Sequence, residues 1–252
     1  MLCGFTDRIF RRFFANFGKP RIKGALVRIR FTAMKKFAVV LLALAAVFVF
    51  AGCAEENKLK PYVSELTDNV YYGESENYTV RGRTGYSETE RSRDGTVGKI
   101  ERALVLSVPD AGNPEALSAT IVIDGTEHTE NFTFNPVTFA YNARFALPFN
   151  EQTFEVILRE NGEEERVTMT SLLPENTLDV NGALDALCAQ QSALVESFMQ
   201  NGVFCGEISM KVTVRSEKAY WYIGLTDAAG RTHAFLMDGA SGEVLAAKDI
   251  FQ

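Results

Sequence analysis

The chain predicts a mainly β, α+β protein. An antiparallel β-sandwich comes first, and a small domain of one helix packed on a three- or four-stranded antiparallel sheet follows. Three observations carry this reading. Apolar residues alternate in short runs between residues 62 and 171, the period-two mark of half-buried strands. Turn dipeptides such as Asp124-Gly125 and Asn161-Gly162 punctuate those runs, and both residue types tolerate the positive φ of tight hairpins. Helical spacing appears in one stretch only, through Leu184, Leu187, Cys188, Leu194, Val195, Phe198 and Met199, before alternation resumes.

The strand runs are taken in order. Residues 76–83 alternate through Tyr78 and Val80, and 99–108 carry Ile100, Leu104, Leu106 and Val108. Leu117, Ala119, Ile121 and Ile123 alternate up to Asp124-Gly125. Further strands are expected at 130–134, 137–147, 153–159 and 165–170, the last two joined at Asn161-Gly162. About seven short strands over roughly 110 residues suit a sandwich. An immunoglobulin-like arrangement is compatible, although its Cys…Trp…Cys hallmark is absent. The charged, Gly-containing stretch 84–98 reads as a long loop.

The first domain is expected to span 62–175 and the second 176–252, with the linker near 172–177 open to proteolysis if the two are loosely joined. Asn181 is a suitable helix cap, and Asn201-Gly202 ends the helix. In the strand that follows, Ile208, Met210, Val212 and Val214 share one face, while Ser209, Lys211, Thr213 and Arg215 share the other. Strands at 219–225, 231–237 and 243–247 complete the sheet, and one helix laid on it buries the helix stripe and a sheet face together.

Tyr220-Trp221-Tyr222-Ile223-Gly224-Leu225 followed by Ala234-Phe235-Leu236-Met237-Asp238-Gly239-Ala240-Ser241-Gly242-Glu243-Val244-Leu245-Ala246 resembles the closing hairpin of PepSY-like (PepSY/cystatin-like) domains. The resemblance covers about 50 residues. It implies a non-catalytic domain of a kind associated with secreted peptidases, as inhibitory or chaperoning segments, and with envelope proteins.

The N-terminal region reads as an export signal. Met34-Lys35-Lys36 is basic, 37–52 is a sixteen-residue run without a charge, and Phe50-Ala51-Gly52-Cys53 closes it. The run is shorter than the roughly 20 residues that span a bilayer. The closing residues resemble the lipobox of bacterial lipoproteins, with Phe50 in place of the usual Leu or Val. That resemblance implies cleavage before Cys53, a diacylglycerol on its sulfur and a cell-membrane anchor on the extracytoplasmic face. The whole chain after Cys53 is similar to a group of clostridial-type lipoproteins, a likeness that implies no activity. Residues 1–33 hold eight basic residues against Asp7 alone. This is too long and too basic for a signal's positive region, so translation is expected to start at Met34. The expected organisation is an extension (1–33), a signal peptide (34–52), a tether (53–61) and the two domains.

Cleavage changes the electrostatics. Residues 1–53 carry ten Lys and Arg and one acid, so the chain's 26 basic and 32 acidic residues become 16 and 31, a net charge of −15. A surface this acidic repels nucleic acid and anionic lipid head groups. No nucleic acid is therefore expected as a partner, and the body is expected to stand off the membrane. Of the four cysteines, Cys3 leaves with the leader and Cys53 is the lipidation residue, which leaves Cys188 and Cys205. An exported compartment permits a disulfide between them, and two small buried hydrophobes are the alternative.

Candidate chemistry is sparse. His128 and His233 have no His or Cys at ligand spacing, so neither a metal nor another cofactor is expected. No P-loop or Gly-x-Ser-x-Gly elbow occurs. Asp238 and Glu243 flank a loop that lacks the Asp-x-Asp-x-Asp-Gly run of a calcium site. The better binding candidates are aromatic. In a strand, Trp221 must face one way and Tyr220 and Tyr222 the other. Trp221 shares parity with Ile223 and Leu225 and is expected to meet the helix, leaving the two tyrosines to face a ligand or pack on the first domain. The expected function is therefore non-catalytic binding or regulation of a peptide, cell-wall component or envelope protein. The alternatives are a hydrolase without a signature or a structural spacer.

Overall fold

The computed structural model describes residues 57–89, 93–109 and 116–250. The expected extension, signal peptide and Cys53 lie outside the described residues. A 3-10 turn, Lys60–Tyr62, leads into β1 (Val63–Glu74). Then come β2 (Thr79–Glu88), β3 (Ile100–Pro109), β4 (Leu117–Ile123), β5 (Thr126–Asn131), β6 (Thr133–Asn135), β7 (Ala140–Phe145), β8 (Thr153–Glu160) and β9 (Glu163–Ser171). The helices α1 (Val180–Gln190) and α2 (Ser192–Ser197) are followed by the short β10 (Met199–Gln200) and β11 (Val203–Phe204). The chain closes with β12 (Glu207–Arg215), β13 (Lys218–Thr226), β14 (Thr232–Asp238) and β15 (Val244–Ile250). The protein is mainly β with a minor helical part, the class read from the alternation.

β1 is the spine of the molecule. β2 pairs antiparallel along one edge from Glu65↔Ser87 to Glu74↔Thr79. The other edge is shared. β12 pairs with it in parallel from Val63↔Ile208 to Thr67↔Lys211, and β9 pairs antiparallel at Tyr71 and Tyr72. The sheet therefore forks along β1. One branch runs β12-β13-β14-β15, and the other runs β9-β8-β4-β5. With β2-β3-β7-β6 on the far side, the second branch curls almost into a barrel.

A bulge stands at the fork. The β1–β2 register shifts between Thr67 and Asn69, leaving Asp68 as the extra residue, and such an insertion bends its strand. Gly85 sits opposite, and a Cβ there would lie 1.8 Å from the Leu66 carbonyl oxygen. Only glycine permits that approach.

Two hydrophobic cores share one face of the β1–β2–β3 sheet. On β2, Val80 belongs to one core and Tyr86 to the other, with Gly82 and Thr84 between them on the same side. The first core packs Val80, Leu104, Leu106, Val108 and Phe145 against Leu117, Ile121, Val156, Leu158, Val167 and Met169 of the curled branch. The second packs Leu66, Tyr86, Ile208, Met210, Trp221 and Ile223 under Ala183, Leu184 and Leu187 of α1.

Several expectations are corrected. β1 was not anticipated as a strand, because Asp68-Asn69 interrupts its apolar alternation. β2 extends to Glu88, so the stretch expected as loop from residue 84 begins at Thr89. The helix cap is Asp179, whose carboxylate accepts from the Gly182 N–H at 2.8 Å, and Asn181 sits inside the first turn. The helix breaks at Gln191 and ends at Ser197. Asn201-Gly202 makes the β10–β11 turn, with φ of 52° and 82°, rather than a helix stop.

Candidate functional site: a polar cleft between two covers

The sheet face between the two cores is open. A cleft of about 710 Å³ lies there. Its floor is Asp68 and Asn69 from the β1 bulge, Thr84 and Tyr86 from β2, and Arg102 from β3. Phe149, Asn150 and Gln152 from the β7–β8 connection form one wall. The segment from Leu173 to Asn181 and Trp221 form the other, with Lys60 also lining it.

The floor is held by side-chain hydrogen bonds. Thr84 donates to Asp68 Oδ1 at 2.8 Å, and Arg102 Nη1 approaches Asp68 Oδ2 at 3.5 Å. The Arg102 guanidinium also lies 5.2 Å from the centre of the Tyr86 ring, a cation–π contact. Buried Asn69 donates to the Tyr71 hydroxyl at 2.9 Å and accepts from Ser171 at 2.8 Å. The large majority of buried polar groups in folded proteins are paired in this way. Burial pushes the Tyr71 phenol pKa up, and hydrogen bonds with Thr84 and Asn69 offset part of that. Burial also raises Tyr86, against the nearby positive charge of Arg102. Both phenols therefore stay protonated at neutral pH and act as neutral hydrogen-bonding groups.

The second wall is tied down along its length. Leu172 N–H donates to Val70 O at 2.9 Å, and Leu178 N–H to Gly239 O at 2.7 Å. The indole Nε1 of Trp221 donates to Leu178 O at 3.0 Å. One buried acceptor in this wall, Asn181 Oδ1, has no protein partner. The cleft thus presents carboxylates (Asp68, Glu175, Asp179), two cations (Lys60, Arg102), amides and aromatic rings, a set suited to holding a polar ligand.

The binding candidates singled out from sequence, Tyr220 and Tyr222, fall elsewhere, and of that aromatic run Trp221 alone lines the cleft. Trp221 is 2 % exposed and packs with Ile223 and Leu225 under α1. Tyr220 and Tyr222 are half-buried on the opposite face, across from Thr213 and Lys211 of β12 and Asp238 and Leu236 of β14. They do not line the cleft. The candidate disulfide is not formed, since Cys188 and Cys205 are both free thiols. Cys188 sits on α1, where burial raises its pKa and Asn57 hydrogen-bonds it. Cys205 lies after β11, with its sulfur 3.8 Å from Val203 O and 3.9 Å from Asp94 O. His233 pairs with Asp249 at 2.6 Å.

Asp238 is a turn-forming group. Its carboxylate accepts from Ser241 N–H at 2.8 Å, Ala240 N–H at 3.0 Å and Ser241 Oγ at 3.1 Å. Those bonds, the backbone N–H of Ser241 foremost, pull its pKa below the usual carboxylate value. Among the described residues, no group of three or more His, Cys, Asp or Glu is placed to hold a metal ion, and no helix is long and apolar enough to cross a membrane.

The cleft residues Asp68, Asn69, Thr84 and Arg102 carry no sequence motif. Their only trace is the polar interruption in β1, which reads as loop until the strand is seen. In comparisons with known proteins, the chain matches no family model, no curated protein and no solved structure.

Proposed function

We propose that this chain is a lipid-anchored, extracytoplasmic binding or regulatory module. It holds a small polar ligand, a peptide end or a cell-wall fragment, in the cleft between its two cores. The observation that carries the reading is the cleft itself. Its volume of about 710 Å³ falls in the roughly 300–1,000 Å³ range of ligand sites, and its lining, more polar than most such sites, suits a polar ligand. The anchor rests on Cys53 at the end of a sixteen-residue apolar run. The chemistry is non-catalytic in this reading. Every floor group already has a structural partner, and none is an exposed nucleophile beside a base.

The finer fold readings belong here too. The opposed apolar faces around the first core support an immunoglobulin-like sandwich, curled towards a barrel. α1 laid over β12–β15, with the Asp238–Glu243 turn, supports a PepSY-like second part. Gln190 joins helix to hairpin in that part, donating to Gly242 O at 2.7 Å and accepting from Val244 N–H at 3.0 Å.

Trp221, the single tryptophan, lines the cleft and reports on it. Titration with short peptides and muropeptides should shift its emission for one class. Arg102→Met should weaken that binding roughly 10- to 100-fold, the value of a lost charge-assisted hydrogen bond. Binding that survives Arg102→Met and Asp68→Asn but disappears in a Tyr220→Ser/Tyr222→Ser double variant would move the site to the opposite sheet face. Turnover of any probe would replace the binding reading with a hydrolase.

A further inference from the structure

The first described residues of the chain lie beside the cleft. Asn57 donates from Nδ2 to Asp185 on α1 at 2.5 Å, and its Oδ1 accepts from the Leu59 N–H at 2.8 Å. Its backbone carbonyl accepts from the Lys60 N–H at 3.0 Å. Leu59 is 5 % exposed and belongs to the same core as Trp221. Lys60, one residue on, lines the cleft together with Trp221. The chain therefore cannot be peeled back beyond Asn57 without exposing a core leucine.

By sequence, Cys53 precedes Asn57 by four residues. Four residues span at most about 14 Å when fully extended. A folded body of this size has a radius of gyration of about 16 Å. A leash shorter than that radius leaves the body no freedom to turn its attachment side away from the anchor.

We infer that the rim formed by residues 57–61 and α1, and with it the near edge of the cleft, is a membrane-apposed surface whose partner is the lipid head-group layer. This inference rests on the lipid-anchor reading and goes beyond it. The anchor sets orientation as well as address. The rim is of mixed charge, with Lys58 and Asp185 both exposed and Glu55 and Glu56 in the leash, so the short leash rather than charge attraction sets the apposition. Tyr220 and Tyr222 face the other way, because Trp221 between them points to α1. The cleft meets ligands at the membrane surface, and the tyrosine face is turned outward.

The test uses the lipid-modified chain in vesicles containing phosphatidylglycerol and a dansyl-headgroup lipid. Energy transfer from Trp221 to the head groups is the readout. The native protein is expected to show strong transfer. Inserting twenty Gly/Ser residues between Ala54 and Glu55, a chain with a root-mean-square span of roughly 25 Å, should reduce it at least two-fold. A Val137→Trp probe in a Trp221→Phe background should show weaker transfer than Trp221. Val137 lies in the β6–β7 turn, at the end of the sheet where β1 finishes. Trp221, opposite Val212 and next to the Thr67↔Lys211 pair, is level with the middle of β1, about five strand residues or roughly 16 Å nearer the Val63 end. If that variant fails to fold, the insertion decides alone. Transfer indifferent to the insertion, in a protein that still floats with vesicles through Cys53, overturns the apposition and leaves the anchor standing. A native chain that floats no better than Cys53→Ser overturns both.

Discussion

The two cores differ in what covers them. Around Leu104, Leu106 and Val108 the cover is a second set of strands, β9-β8-β4-β5, continuous with the sheet through β1. Around Leu66, Tyr86 and Trp221 the cover is α1, reached by a linker from β9. One sheet face serves both. Strands can continue a sheet and curl over it, whereas a helix must be laid on top and held there by packing and caps. The two covers do not meet, and the band of sheet between them is polar: Asp68, Asn69, Thr84 and Arg102. The cleft is the seam between two solutions to the same burial problem.

The largest expected effects test whether the seam divides the molecule energetically. Leu106→Ala, under the strands, and Leu187→Ala, under the helix, should each cost about 2–5 kcal/mol. Because β1 contributes to both cores, denaturant unfolding followed by Trp221 emission and by far-ultraviolet circular dichroism should give coincident transitions in both variants. Non-coincident curves, with Leu106→Ala leaving the Trp221 transition in place, would break the molecule into two independently stable halves.

Gly85→Ala acts on the bulge that places the seam. Its Cβ would meet the Leu66 carbonyl, so the β1–β2 pairing must move. A loss of about 2–4 kcal/mol is expected, as for strain forced into a fixed backbone. Chemical denaturation measures it, and a loss below 1 kcal/mol would show that the bulge relaxes freely.

The smallest effect belongs to the strand-covered core. Tyr78 packs against that core, and its hydroxyl donates to Glu160. Burial first, then the Glu160 hydrogen bond and charge, push its pKa from 10.0 up to about 12. A raised folded-state pKa contributes stability that is complete below pH 10 and is lost as pH climbs towards about 12. The Tm difference between wild type and Tyr78→Phe should hold up to pH 10 and shrink above it. A difference that stays constant to pH 12 would contradict this.

Particular residues show what could be read in advance. The Asn161-Gly162 turn is a two-residue matter, and both residues adopt the positive φ their types favour, 52° and 88°. Trp221 falls on the face of Ile223 and Leu225 because strand parity is local. The helix cap was misplaced by two residues because Asp179 and Asn181 are both competent caps, and the choice was made by where Leu178 is tied to Gly239 and Trp221. The cleft left only the polar interruption in β1 as a trace, since its floor draws on three strands.

By itself the sequence determined which segments alternate, which helix stripe is apolar, where the tight turns fall and how acidic the chain is after Cys53. These properties are set by residues within a few positions of one another. Tertiary structure decided that β1 is the spine, that β12 joins it in parallel some 143 residues away at the Ser64–Glu207 hydrogen bond, and that a bulge leaves a polar band uncovered. Those outcomes depend on which distant strand offers the better edge and on how two covers of different kind fit one face.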